Sequence, residues 1–168
     1  MQLRSYHWED KDALFALYAG AFESDAEARL VAAFHEQPVE PLVSLIAEDG
    51  GDIVGHIALT PVRVEGLKGE LAMGLAPMAV VEGRRGEGIG LALIEAGLVA
   101  SRELGAVAVV VLGHPTYYPK AGFRPAQHFG LRSEYDVPPE VFMAVELVPG
   151  ALREAAGLVR YHALFADL

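Results

Sequence analysis

The chain has no cysteine among its 168 residues, which removes disulfides, thiol nucleophiles and cysteine-ligated metal sites from consideration. Lysine is scarce too: Lys11, Lys68 and Lys120 stand against ten arginines. With 13 basic and 23 acidic residues the formal net charge is −10, so no broad basic face is available and no nucleic-acid partner is expected. No apolar run approaches the ~20 residues of a membrane span. The strongest, residues 107–112, has the length of a buried strand. Nor do Met1-Gln2-Leu3-Arg4-Ser5-Tyr6 contain the apolar centre of a signal peptide. His7, His35, His56, His114, His128 and His162 form no pair at ligand spacing, and no serine lies in a nucleophile elbow, so no metal is expected. These absences leave a cytoplasmic, globular protein without membrane association, long enough for one domain over residues 1–168.

Hydrophobic residues make up 52% of the chain, and their spacing switches between strand and helix periods. Residues 2–6 read as a short first strand. Leu14, Leu17, Tyr18 and Phe22 recur at helical spacing over residues 11–22, as do Leu30, Val31 and Phe34 over residues 25–36. Ser24 or Asp25 can cap the second helix, and Pro38 and Pro41 close the region. Residues 42–47, 53–64 and 71–80 read as three antiparallel strands in series, joined by turns at 48–52 and 65–69. A helix over 91–104 and a strand over 107–112 then make a β-α-β crossover. Residues 127–133 and 142–147 read as a final antiparallel pair. The expected class is mixed α/β with a mostly antiparallel sheet. In the tail, residues 149–168, Leu152, Leu158, Tyr161, Leu164 and Phe165 are spaced to pack on the body or on a partner subunit, which leaves a homodimer open.

The most informative segment is Arg84-Arg85-Gly86-Glu87-Gly88-Ile89-Gly90, between the strand ending at Val80 and the helix beginning at Leu91. Glycines at a strand-to-helix junction allow positive φ, and the helix start offers unpaired N–H groups to an anion. A P-loop would need Lys-Ser/Thr after Gly88, where Ile89 and Gly90 stand instead. A dinucleotide fingerprint would need a glycine at Leu91 or Leu93, and three antiparallel strands upstream suit it poorly. The pattern that does fit is Arg85-x-x-Gly88-x-Gly90. It resembles the acyl-CoA pyrophosphate motif of the Gcn5-related N-acetyltransferase (GNAT) superfamily. The likeness extends over roughly residues 1–148, through the Met78-Ala79-Val80 strand end to Tyr118-x-x-x-Gly122-Phe123. The segments Gly55-His56-Ile57, residues 110–118 and Tyr135-Asp136-Val137-Pro138 are similar to those of bacterial N-acetyltransferases of the YhbS type.

The resemblance implies the GNAT fold, acetyl-CoA as co-substrate and an amine acceptor, a small molecule or a peptide. It implies that Arg85, Gly86, Glu87, Gly88, Ile89, Gly90 and Leu91 hold the pyrophosphate, and that Met78, Ala79 and Val80 pair with the pantetheine arm. A backbone N–H nearby would polarise the thioester carbonyl, with Pro77 helping to break the sheet ladder. Tyr118 matches the position that protonates the leaving thiolate, while Tyr117 reads as packing. The base has no clear residue. Relatives often carry a glutamate on the strand at 71–75, which has none here. His114, just after the strand at 107–112, is the candidate base. His56 reads as structural, Glu27 as a helix-dipole carboxylate, and ordered water also serves. Arg84, Arg124 and Arg132 are options for the CoA 3′-phosphate, with surface solvation as the plainer reading. Residues 22–36, 64–69 and 129–139 are expected to set the acceptor. A non-catalytic CoA-binding sensor and a nucleotide-binding regulatory domain are the alternatives.

Overall fold

A computed structural model describes residues 1–37, 39–155 and 157–167, so Pro38 lies outside the described residues. In chain order the strands are β1 (Gln2–Ser5), β2 (Val43–Asp49), β3 (Asp52–Val64), β4 (Leu71–Val80), β5 (Ala106–Leu112), β6 (Arg124–Pro125), β7 (Leu131–Ser133), β8 (Phe142–Glu146) and β9 (Gly157–Arg160). The helices are α1 (Lys11–Ala21), α2 (Ala26–Glu36) and α3 (Ile89–Glu103). Strands β1 to β4 pair antiparallel in series, as their alternating patterns predict. The turn between β2 and β3 places Gly50 and Gly51 at φ 59° and 87°, the left-handed pair that suits a tight hairpin. β5 joins β4 in parallel across the α3 crossover, and β8 closes the other edge of β5 antiparallel.

Helices cover both faces. Successive β3 residues point to opposite sides. Ile57 and Leu59 meet Leu93 and Ile94 of α3 together with Met73, Val109 and Val111. On the other face Ala58 packs with Leu30 and Phe34 of α2, and Leu14, Tyr18 and Val31 close over Ala79.

One feature differs from expectation, and for the tail one of the two expected placements is observed. Residues 127–133 and 142–147 do not pair with each other. Residues 126–129 form a 3₁₀ turn, and β7 instead runs parallel to β9. The hydrophobic cluster explains the choice: Leu131 and Phe129 pack with Ala155 and Val159 of the tail, while β8 pairs with β5, whose Val109, Val110 and Val111 are buried. The tail packs on its own chain. β9 pairs with the far end of β3 through Val64↔Val159, and Phe165 sits against Phe34 with ring centroids 5.5 Å apart.

The feature that shapes the site lies in β4. Its pairing with β5 runs from Leu71↔Ala106 to Leu75↔Val111 and goes no further. On the β3 side Leu59 faces Leu75 while Ile57 faces Met78, so β4 carries an extra residue at Ala76–Pro77, a bulge. Beyond it, Met78, Ala79 and Val80 pair with β3 alone. Val81 donates its N–H to Val54. Because N–H direction alternates along a strand, those of Val80 and Met78 face the edge that β5 has left.

Candidate active site

A cavity of about 510 Å³ fills the space between that open edge and the start of α3. Its wall combines Met78, Ala79 and Val80 with Arg84, Arg85, Gly86, Gly88, Ile89, Gly90 and Leu91. The size falls within the usual range for small-molecule sites. Gly88 is the N-cap of α3 at φ 86°, and the first helical hydrogen bond runs from Ala92 to its carbonyl. The N–H groups of Ile89, Gly90 and Leu91 therefore precede the helical ladder and face the cavity end unpaired by it. No acidic residue stands in that first turn, so the positive end of the helix dipole is not cancelled there. Gly86 also sits at φ 86° with open space where a Cβ would be, so both glycines answer to backbone conformation rather than to crowding. Gly90 differs: a Cβ there would collide with the Tyr117 hydroxyl.

The adjacent arginines separate electrostatically. Arg84 Nε donates to both Glu87 carboxylate oxygens at 2.9 and 3.0 Å, and a terminal nitrogen donates to Asp49 at 2.9 Å. Its charge is spent on two carboxylates, and Glu87 is turned to Arg84 rather than into the cavity. Asp49 is held below the usual carboxylate range, chiefly by the hydrogen bond from Arg84. Arg85 donates to the Val80 carbonyl at 3.3 Å and has no ion-pair partner among the described residues. Lys120, which the sequence did not single out, lines the same cavity with its Nζ 5.7 Å from the Tyr117 ring centroid. Arg85 and Lys120, neither with a carboxylate partner among the described residues, thus line the cavity beside free N–H groups. This donor set fits a pyrophosphate.

The tyrosine pair is divided as well. Tyr117 lines the cavity. Tyr118, 8% exposed, stacks edge-on against Phe123 and Tyr117 at 5.7 and 5.4 Å. Burial, with the neighbouring Tyr117 second, pushes its phenol up to about 12. A 3₁₀ turn over Tyr118–Ala121, ended by Gly122 at φ 94°, brings Tyr117 and Lys120 over the start of α3. His114 is exposed and does not line the cavity. Its Nδ1 bonds the Thr116 hydroxyl at 2.8 Å. His56 is fully buried and bonds Tyr18 and Ser44. Glu27 lies in the first turn of α2, its Oε2 buried without a hydrogen-bond partner, and it is not part of the cavity wall. No cluster of His, Asp and Glu suited to a metal occurs among the described residues. No helix among them is long and apolar enough to cross a membrane.

A family model described as an acetyltransferase (GNAT) domain matches residues 2–126. The chain is 38% identical over 156 residues to YhbS of Escherichia coli K12, named an uncharacterized N-acetyltransferase, covering 93% of each protein. The crystal structure of E. coli YhbS in complex with CoA superposes with a TM-score of 0.90 at 37% identity, over 98% of this chain and 91% of that one. A GNAT-family acetyltransferase from Brucella melitensis in complex with acetyl-CoA gives 0.80 at 30% identity, over 98% and 97% of the two chains.

Proposed function

The chain belongs to the GNAT acetyltransferases, and from that membership we propose that it transfers the acetyl group of acetyl-CoA to an amine by direct attack in a ternary complex. The observation that carries this reading is the unpaired edge of Met78–Val80 set against the free N–H groups that begin α3. Such an edge accepts an extended amide chain as an added strand, which suits pantetheine. The N–H groups at Gly86–Leu91, with Arg85 and Lys120, neutralise the pyrophosphate. The thioester carbonyl then falls to the outward N–H of Met78, at the bulge, an oxyanion-hole role.

In the reaction the neutral amine attacks the thioester carbon, the C–S bond breaks, and the departing thiolate takes a proton. We assign that proton to Tyr118, whose raised pKa keeps it protonated throughout the neutral range. Tyr117 has the better access to the cavity, and a substitution series separates the two. Removal of the amine proton is assigned to water, because the wall holds no carboxylate among the described residues and does not include His114. Small-molecule or peptide amines are the acceptor class.

Thiol release from acetyl-CoA in the presence of a panel of primary amines tests the function. Turnover with at least one amine is expected, and Tyr118→Phe should lower it by about a hundredfold while CoA affinity holds within about twofold. Tyr117→Phe should retain most of the activity. If Tyr117→Phe alone removes turnover, the acid role passes to Tyr117. Binding without turnover across the panel favours a CoA-sensing module instead.

A further inference from the structure

Four side chains that acetyl transfer does not use directly form an unbroken polar chain through the core. The Tyr18 hydroxyl of α1 lies 2.7 Å from His56 Nδ1 of β3. His56 Nε2 lies 2.8 Å from the Ser44 hydroxyl of β2, and Ser44 lies 2.9 Å from His35 Nε2 of α2. His35 Nδ1 ends the chain 2.9 Å from the Val31 carbonyl. At the inner end the Tyr18 hydroxyl is also 3.2 Å from the Pro77 carbonyl, in the β4 bulge. Tyr18 and His56 are both 0% exposed. The outer end opens on a second cavity of about 560 Å³ lined by Tyr6, His35, Ser44 and Glu103.

Proton counting fixes the direction. A carbonyl only accepts, so His35 Nδ1 must donate to Val31. If His35 is neutral, its Nε2 accepts from Ser44, Ser44 accepts from His56 Nε2, and His56 Nδ1 accepts from Tyr18. The single Tyr18 hydrogen then points at His56 and away from Pro77. If His35 carries a second proton, its Nε2 donates and the three bonds between His35 and Tyr18 reverse, while His35 Nδ1 still donates to Val31. Ser44 donates to His56 Nε2, His56 Nδ1 donates to Tyr18, and Tyr18 donates to the Pro77 carbonyl at 3.2 Å, nearer than the His56 carbonyl at 3.5 Å. That carbonyl shares a peptide group with the Met78 N–H, so hydrogen bonding to the oxygen polarises the donor at the open edge.

We propose that the Tyr18–His56–Ser44–His35 chain is a positioning network for the donor strand, its direction set by the proton on His35 and read out at the Pro77–Met78 peptide. The role in catalysis rests on the acetyl-transfer function proposed above, whereas the reversal of the chain does not. Burial supports the assignment of charge. It holds His56 down to about 3, so His56 stays neutral in both arrangements, and it lowers His35 from its ordinary value. The groups around His35 are the stacked Tyr6 ring at 3.7 Å, Lys11 with its partner Glu36, His56 itself and Glu103 across the second cavity, while Asp10, paired with Arg4, acts on Tyr6 and His56.

Nitrogen-detected NMR of the histidine tautomers in the intact protein is the test. At pH 8 His56 should be the Nε2–H tautomer and His35 the Nδ1–H tautomer. As His35 titrates on acidification, His56 should convert to Nδ1–H without becoming charged. Ser44→Ala should uncouple the two. A His56 that is already Nδ1–H at pH 8, or that stays unchanged while His35 titrates, overturns the chain. In turnover at a pH where His35 is protonated, Tyr18→Phe should lower kcat about tenfold while the KM for acetyl-CoA stays within about twofold, and at pH 8, where the Tyr18 hydrogen points at His56, the loss should be smaller. A kcat unchanged at the acid pH, or lowered equally at both, overturns the positioning role. Failure of the wild-type protein to bind acetyl-CoA would strike the functional proposal, whereas a fixed tautomer beside intact binding would strike the chain alone.

Discussion

Arg84 and Arg85 are neighbours in the chain with different electrostatic tasks. Arg84 is paired to Glu87 and Asp49 and fastens the glycine loop to the β2–β3 turn, whereas Arg85 keeps its charge for the cavity. A charge-assisted hydrogen bond to phosphate contributes about 1.5–3 kcal/mol, so Arg85→Ala should weaken CoA binding by tenfold or more, with a shallower salt dependence. Arg84→Ala should change affinity by about twofold or less, and calorimetry at two salt concentrations distinguishes them. Gly90 supplies a second test. Its missing Cβ makes room for the Tyr117 hydroxyl, so Gly90→Ala should weaken CoA binding and Tyr117→Phe in the same chain should restore much of the loss. Equal losses with and without the hydroxyl contradict the contact. Arg85, Gly88 and Gly90 stood out in the sequence through the spacing of a family motif, and only Gly88 answers to a left-handed turn, which has few residue solutions. Lys120 and the placement of Tyr117 were not. They reach the site through the fold of the Tyr118–Ala121 turn over α3, which no local spacing encodes.

Strand β4 joins fold and function at the scale of elements. Its first half is buried sheet between β3 and β5, and its second half has lost β5 and offers its edge. The series β2–β3–β4 and the α3 crossover followed directly from alternation, turn glycines and helical spacing. The last third of the chain did not, because β7 is three residues long and takes its partner from β9, 26 positions further on at the Leu131↔Gly157 pair. Short strands set by tertiary packing leave little periodic signal. The tail closes the fold through Leu152, Val159 and Phe165, all buried. At about 1.5–3 kcal/mol for each large apolar side chain, removing residues 149–168 should cost several kcal/mol. We therefore expect a large fall in melting temperature or insolubility, and an unchanged melting temperature would show that the tail is not structural.

The whole molecule holds neutral imidazole in its core, and this ties stability to pH. In the unfolded chain an imidazole takes a proton near 6.5, whereas folded His56 resists protonation down to about 3. Below 6.5 the unfolded state therefore binds more protons, and stability falls as pH drops from about 6.5 toward 3. The Asp10 carboxylate, lowered chiefly by the hydrogen bond from Arg4, acts with the same sign at the acid end, since its contribution is lost on protonation. Denaturant midpoints should hold from pH 8 to about 6.5 and decline from there to pH 4, and a midpoint that rises on acidification through that window contradicts a buried neutral His56. The junction between the open edge of β4 and α3 is tested most directly by titrating acetyl-CoA into the wild-type protein and into Gly88→Val, followed by calorimetry. A β-branched residue cannot hold φ 86° without strain, so the loop must move its N–H groups. One-to-one binding by the wild type, reduced at least about a hundredfold in a variant that remains folded, is the predicted result; equal affinity in the two proteins would contradict the site.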